Sequence, residues 1–178
     1  DRCLYLLFNG DSKQPGLFLL RSNDWGSNWT AKAIRVDEQH PTTFNFEMQY
    51  SPSNRLQILW ESKTSGSNGR VFHRYVDLNT DRLGISTQLS CNSFSSRKSN
   101  GIKLGLYKNK IFSLWFRDQV YFNYSRDYGQ TWQDQELIIS NKTDNIQRIV
   151  MAVSGKNVFA VWDKYGSSSP SIWFNRTN

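Results

Sequence analysis

Four charged side chains, Glu61, Asp163, Arg97 and Arg148, stand where strand-like runs begin or end. Their types define the chemistry within reach. A Glu and an Asp in one cleft can divide general acid and general base work between them, and an arginine offers a planar fork that grips a carboxylate through two hydrogen bonds. Their ordinary role, as solvated charges at strand ends worth little individually, is the expected one on sequence alone. Phe94 and Tyr165 lie in polar loops and present flat apolar faces of the kind that stack on a sugar ring. Four Asn-x-Ser/Thr sequons, at Asn28, Asn123, Asn141 and Asn175, are acceptors for N-linked glycan. Asn28 and Asn141 fall in loops, whereas Asn123 and Asn175 share one aligned strand position that must face outward to be modified.

Other chemistries lack their residues. His40 and His73 have no ligand-type neighbour in a recognisable spacing, so neither a zinc site nor a Ser-His-Asp arrangement is expected, and no metal or cofactor is assigned. Gly155-Lys156-Asn157 reads as a hairpin turn, not a phosphate loop. The net charge of +7 raises the question of a polyanion partner, but the densest basic stretch is Arg97, Lys98, Lys103, Lys108 and Lys110, too sparse for a nucleic-acid stripe. No apolar run approaches the roughly 20 residues of a membrane span. Asp1 in first place, with no signal-peptide order after it, leads to the expectation of a processed or excised chain.

The elements that position these residues follow from an internal repeat. Four runs alternate and close on an aromatic: Leu4 to Phe8, Leu56 to Trp60, Ile111 to Trp115 and Val158 to Trp162, about 50 residues apart. Each is followed by a second extended run, Leu17 to Arg21, Val71 to Tyr75, Val120 to Tyr124 and Ile172 to Arg176, so each pair reads as a hairpin. Further strands are expected before the hairpins (Phe44 to Tyr50, Gly101 to Leu106, Ile146 to Val153) and after them (Ala31 to Val36, Ile85 to Leu89, Glu136 to Ile139). Four strands per repeat describe a β-propeller blade. The expected division is 2–36 (strands two to four of blade 1), 43–90 (blade 2), 100–140 (blade 3) and 146–176 (strands one to three of blade 4). With 7 Trp, 8 Tyr and 11 Phe among 178 residues, large rings supply much of the core. Trp29, Trp60, Trp115, Trp132, Trp162 and Trp173 are all assigned to it.

Two second runs lead into nearly the same turn, Ser22-Asn23-Asp24-Trp25-Gly26-Ser27-Asn28-Trp29 and Ser125-Arg126-Asp127-Tyr128-Gly129-Gln130-Thr131-Trp132. The Asp accepts hydrogen bonds from nearby amides and the Gly supplies positive φ. The Trp then folds back as an apolar plug, which makes this stability chemistry. Val76 to Gly84 looks like a decayed copy.

These turns resemble the Asp-box, or BNR repeat, Ser-x-Asp-x-Gly-x-Thr-Trp, of sialidase-like β-propellers. The match is complete at Ser125, Asp127, Gly129, Thr131 and Trp132. Ser22, Asp24, Gly26 and Trp29 match in the first turn, where Asn28 replaces Thr. Ile139 to Trp162 is also similar to repeats of extracellular sialidase-like proteins of microbes. The resemblance implies an all-β propeller of four-stranded antiparallel blades, of which about three and a half are present as part of a larger wheel. It also implies that the turns lie on the face away from any substrate. A sialidase's arginine triad, Tyr–Glu nucleophile and Asp acid have no matching motif here, so Arg97, Arg148, Glu61 and Asp163 remain the central charges to test. On the blade scheme Cys3 and Cys91 lie on opposite rims, which disfavours a disulfide. The expected function is an extracellular, cell-surface binding, adhesive or structural module directed at carbohydrate, without catalysis. The alternatives are a piece of a sialidase-type glycoside hydrolase, and a cell-surface polymer subunit that self-associates, completed by a neighbouring chain.

Overall fold

Apolar residues at every second position send one side of each strand into the gap before its sheet and the other into the gap behind it. The computed structural model describes residues 3–37, 42–63, 69–90, 101–141, 146–164 and 171–176, and among these it has fifteen strands and no helix. The strands form four antiparallel sheets in chain order. The first holds β1 (Leu4–Asn9), β2 (Leu17–Ser22) and β3 (Ile34–Arg35). In the second, β4 (Thr42–Ser51), β5 (Arg55–Lys63) and β6 (Arg70–Asp77) are followed by β7 (Arg82–Leu83) and β8 (Thr87–Gln88), both paired to β6. The third is β9 (Ile102–Tyr107), β10 (Lys110–Phe116), β11 (Val120–Ser125) and β12 (Leu137–Ile138). The fourth is β13 (Ile146–Ser154), β14 (Asn157–Lys164) and β15 (Ser171–Arg176). Each sheet is a propeller blade.

Three apolar cores fill the gaps between successive blades. Leu17, Leu19 and Val36 meet Ile58, Trp60 and Phe72. Leu59 and Val71 meet Leu104, Trp115 and Tyr121. Phe112, Leu114 and Phe122 meet Ile149, Ala160 and Trp162. The aromatic that closes each first run lies across its strand pair from an aromatic of the second, Phe8 from Phe18, Trp60 from Phe72, Trp115 from Tyr121 and Trp162 from Trp173. The first three pairs stack with centroids 5.9, 5.6 and 6.1 Å apart. The indole N–H groups of Trp60, Trp115 and Trp162 are buried and find no hydrogen-bond partner among the described residues. Leaving an N–H unpaired costs about 1–3 kcal/mol, whereas burying a ring of that size contributes about 4–6 kcal/mol, so apolar burial wins.

The fourth strands are shorter than the sequence suggests. Two residues pair in each place where four to six are expected, because an outermost strand has one neighbour and an open face: Leu137 and Ile138 remain exposed. What survives is the buried end. The amides of Val36, Leu89 and Ile139 donate to the carbonyls of Leu17, Val71 and Val120, repeating one contact in three blades. The stretch read as a decayed turn contains the short strand β7.

The two aspartate turns are built alike. Asp127 Oδ1 accepts from Ser125 Oγ at 2.7 Å, Thr131 N at 2.9 Å and Gln130 N at 3.1 Å, and Oδ2 accepts from Thr131 Oγ1. Ser125 Oγ in turn accepts from Gly129 N. In the first turn Asn28 Nδ2 donates to Asp24 Oδ2 at 2.7 Å, so the amide of Asn28 does the work of the Thr131 hydroxyl and the departure from the pattern leaves its chemistry intact. Backbone and side-chain hydrogen bonds from Asn28, with one from Ser22, hold the Asp24 carboxyl below the usual carboxylate range. Burial pushes Asp127 up, but the donors Thr131, Ser125 and Gln130 outweigh it and leave that carboxyl low as well. The two plugs differ. Trp132 packs on His73 of blade 2, with ring centroids 4.8 Å apart, while Trp29 is 40% exposed. Assigning Trp29 to the core is therefore wrong: a plug needs the preceding blade beside it, and the described residues place none next to blade 1.

Near the axis, side chains of β4 latch onto the edge of β9. Glu47 Oε2 accepts from Leu104 N at 2.7 Å, Gln49 Nε2 donates to Leu104 O at 2.7 Å, and Lys103 Nζ bonds Glu47 Oε1. One peptide of an edge strand is thus satisfied by side chains where no strand pairs with it. Glu47→Ala should lower stability by about 1–3 kcal/mol in urea unfolding, since it leaves the Leu104 N–H without its acceptor. A change within error would show that the latch is dispensable.

Candidate functional site

In each blade the second strand runs away from the aspartate-turn rim and ends at the opposite one. Position for position after the closing aromatic, these ends carry Asn9, Glu61, Phe116 and Asp163. Phe116 is buried in the core, so charge appears only in blades 2 and 4.

Both carboxylates face a β-bulge in the strand beside them. Pairing of β4 with β5 shifts register between Thr43 and Phe46, and pairing of β13 with β14 shifts between Ile146 and Ile149. A bulge leaves amides out of the ladder. Asp163 Oδ1 takes up two of them, Gln147 N at 3.0 Å and Arg148 N at 2.7 Å. Glu61, 4% exposed, accepts from Asn45 Nδ2 at 2.9 Å. The bulges are readable in hindsight as a break of alternation: Ile146, Ile149, Met151 and Val153 step by three and then by two, and sequence reasoning missed it.

The rest of the rim is hydrogen-bonded polar structure. Asp37, buried, accepts from Thr43 Oγ1 at 3.0 Å and from Arg35 Nε at 3.2 Å, and Asn9 Nδ2 donates to Thr43 O, so blade 1 is tied to blade 2 here. In blade 3 the Arg117 guanidinium lies over Tyr121 and bridges Asp118, which also accepts from Tyr121 Oη at 2.9 Å. Burial raises the Asp118 carboxyl, but the Tyr121 hydrogen bond, the backbone and Arg117 hold it low overall. Arg148 is exposed on its bulge, beside Asp163. Among the described residues no group of His, Cys, Asp and Glu could hold a metal ion.

Of the residues singled out from sequence, Glu61, Asp163 and Arg148 lie on this rim. Arg97, Phe94, Tyr165, His40 and Cys91 lie outside the described residues. Cys3 precedes β1, and its thiol donates to Asn23 Oδ1. Asn28 and Asn141 are exposed. Asn123 is a correction. It is 1% exposed, Nδ2 donates to Gln133 O at 3.1 Å and Oδ1 accepts from Tyr124 N, so no glycan fits on it in the folded chain. Asn175 pairs across from Ala160 as Asn123 does from Ser113, and its side chain lies outside the described set.

Blades stacked in chain order, with aromatic knobs between them, define a β-propeller fold. No protein-family model and no curated protein matches the chain. Solved structures do. The "Bacteroides ovatus Xyloglucan PUL GH43B" structure aligns over 99% of this chain with a TM-score of 0.56 at 13% identity. A thermostable family-43 glycoside hydrolase aligns over 99% with a TM-score of 0.54 at 10% identity. The K499G mutant of NanB sialidase from Streptococcus pneumoniae aligns over 89% with a TM-score of 0.50 at 16% identity. At such identities the likeness is one of fold. The chain spans 36%, 68% and 28% of those three chains, respectively.

Proposed function

We propose that this chain is an extracellular propeller module that binds carbohydrate through the rim opposite its aspartate turns, without cleaving it. The observation that carries the reading is the use of Asp163 and Glu61. Asp163 accepts two backbone amides of its bulge and Glu61 accepts the Asn45 amide, so both are held as acceptors that shape the rim. A catalytic carboxyl must instead be poised to exchange a proton with substrate. The rim still offers the exposed Arg148 side chain, whose guanidinium is suited to hydroxyl and carboxylate recognition. A second reading, a piece of a glycoside hydrolase, is supported by the nature of the proteins that share the fold.

The two separate cleanly with the longest natural form of the protein. Glycan-array binding that is weakened by Arg148→Ala, with no release of fluorophore from sialosides, is the expected result. Turnover that Glu61→Gln abolishes would overturn the binding reading in favour of the hydrolase.

A further inference from the structure

Cations that are scattered along the sequence are gathered by the fold at the aspartate-turn end of blades 3 and 4. Lys108 and Lys110 flank the tip of the β9–β10 hairpin, and that tip is tied to the aspartate turn of the same blade. Asn109 Nδ2 donates to the Arg126 carbonyl, and Tyr128 N donates to Asn109 O at 2.8 Å. Arg126 is thereby brought beside the two lysines. The next tip along the rim, Gly155-Lys156 between β13 and β14, adds a fourth cation. The two tips are neighbours, because Tyr107, just before Lys108, and Val153, just before the second tip, pack against the same core. Lys108, Arg126 and Lys156 are exposed and Lys110 is half-buried. Blade 3 is flanked by blades 2 and 4, so Lys108 and Arg126 are not exposed for want of a neighbouring blade.

Two observations set these cations apart. At the same rim in blades 1 and 2 charge is cancelled, Arg21 by Asp81 and Arg55 by Asp77. Among the described residues none of Lys108, Lys110, Arg126 and Lys156 has a carboxylate within salt-bridge reach. The aspartate of their own turn, Asp127, spends its oxygens on Ser125, Gln130 and Thr131. The second observation is backbone strain. Lys108 holds the tip position that Gly155 holds in the next hairpin, with φ +54° against +59°. Such a position favours glycine, so a lysine is kept there against the local preference. Its ammonium lies 5.5 Å from the Tyr107 ring centroid, and the Arg126 guanidinium lies 5.1 Å from that of Tyr124, whose hydroxyl accepts from Arg126 Nη2 at 3.1 Å. Both rings are anchored in the core between blades 3 and 4, which reduces the freedom these cations lose on binding a ligand.

We propose that Lys108, Lys110, Arg126 and Lys156 form a binding surface for an acidic polysaccharide, recognised through its carboxylate or sulfate groups, on the rim opposite Arg148. The chemistry of the patch selects the partner. Tyr107 and Tyr124 are engaged by their own cations, so their faces are not offered to the bases of a single strand. The tips are tight turns tied together, with no helix or ribbon to enter a duplex groove. Among the described residues no large apolar side chain is exposed on them to enter a bilayer. What the patch offers is charge, with an arginine fork that fits carboxylate or sulfate, to a polymer that carries its anions outward.

Binding of the longest natural form of the protein to heparin and to polygalacturonate tests this, and the better ligand of the two tells sulfate from carboxylate. At least one should bind, and high salt should release it. Lys108→Gly combined with Arg126→Gln should weaken binding about tenfold. Because glycine also relieves the hairpin tip, a thermal melt of that variant should show no loss of stability, which separates lost binding from lost folding. Lys13→Ser combined with Lys32→Ser removes the same net charge from exposed positions of blade 1 and should leave binding nearly unchanged, as should Arg148→Ala on the opposite rim. Failure to bind either polysaccharide overturns the proposal, as do equal losses in the two double variants, or tighter binding to duplex DNA or to phosphatidylserine vesicles. Binding that Arg148→Ala abolishes also overturns it, while leaving the reading of the opposite rim intact.

Discussion

Gly129→Ala should cost about 3–5 kcal/mol, while Gly26→Ala, the same substitution at the same place in the other aspartate turn, should cost about 1–2 kcal/mol. Both glycines have positive φ, +82° and +88°, so both variants bear the strain of a Cβ in the left-handed region. Only Gly129 has a wall behind it. A Cβ there would lie 2.5 Å from His73 Cε1 and 2.9 Å from Gln57 Oε1, two side chains that are fully buried in blade 2 and have nowhere to move. At Gly26 the nearest atom is Leu4 Cδ1 at 3.4 Å, an ordinary contact with a flexible group. The difference between the two, read by urea unfolding, measures how tightly a turn is pressed against its neighbouring blade. Equal losses would mean that backbone strain alone sets the cost.

That comparison changes the role of the turn. Within blade 3 its Asp and Ser tie a strand corner, as the residue types imply, but its outer atoms reach across to blade 2. Trp132 Nε1 donates to His73 Nδ1 at 3.2 Å, His73 Nε2 bonds Gln57 Oε1 at 2.9 Å, and Gln57 Nε2 returns to Tyr128 O at 3.2 Å. The loop closes on the turn where it began. In blade 3 a corner lock and an inter-blade clip are one structure, whereas blades 1 and 2 are tied at the opposite rim, through Asn9, Asp37 and Thr43.

How far the sequence disclosed this depends on the range of the interaction. Alternation and the recurring aromatics at Phe8, Trp60, Trp115 and Trp162 revealed strands, blades and their order, because each signal lies within one hairpin. The Asp24 and Asp127 turns were legible for the same reason. Contacts between blades were not. Nothing near His73 in sequence marks it as the partner of Trp132, and the exposure of Trp29 depends on what stands beside blade 1. The rim was legible only as position. Glu61 and Asp163 could be aligned at strand ends, but their bond partners arise from bulges that displace the apolar pattern by a single residue. Asn123 failed as a glycan acceptor because one sequon looks like another until the side chain's direction is known.

His73 should make this fold acid-sensitive below pH 6.5. Burial alone pushes the imidazole from 6.5 down to about 3, and the side chains that reach it, Gln57 and Trp132, are uncharged and offer a proton no compensation. With Nδ1 accepting from the Trp132 indole, the proton sits on Nε2 and the ring is neutral. Above pH 6.5 the folded and unfolded chains both hold it neutral, and its contribution to stability is complete. As the pH falls below 6.5 the unfolded chain binds a proton that the folded chain refuses, so stability declines until about pH 3, below which both are protonated. A full proton of difference gives at most about 1.4 kcal/mol per pH unit, so roughly 3 kcal/mol should be lost between pH 6.5 and pH 4 from this residue. The contributions of Asp24 and Asp127, held below 3.8, are lost only at lower pH. His73→Phe isolates the effect, because blade 3 already carries Phe122 in the equivalent place, paired to Leu114 as His73 is to Leu59. The variant should be weaker at neutral pH by about 1–3 kcal/mol for each stranded partner among Gln57 and Trp132, yet flatter between pH 6.5 and pH 4. Urea unfolding at a series of pH values decides it: curves for variant and wild type that run parallel through that range would show that His73 takes up its proton in the folded state without cost.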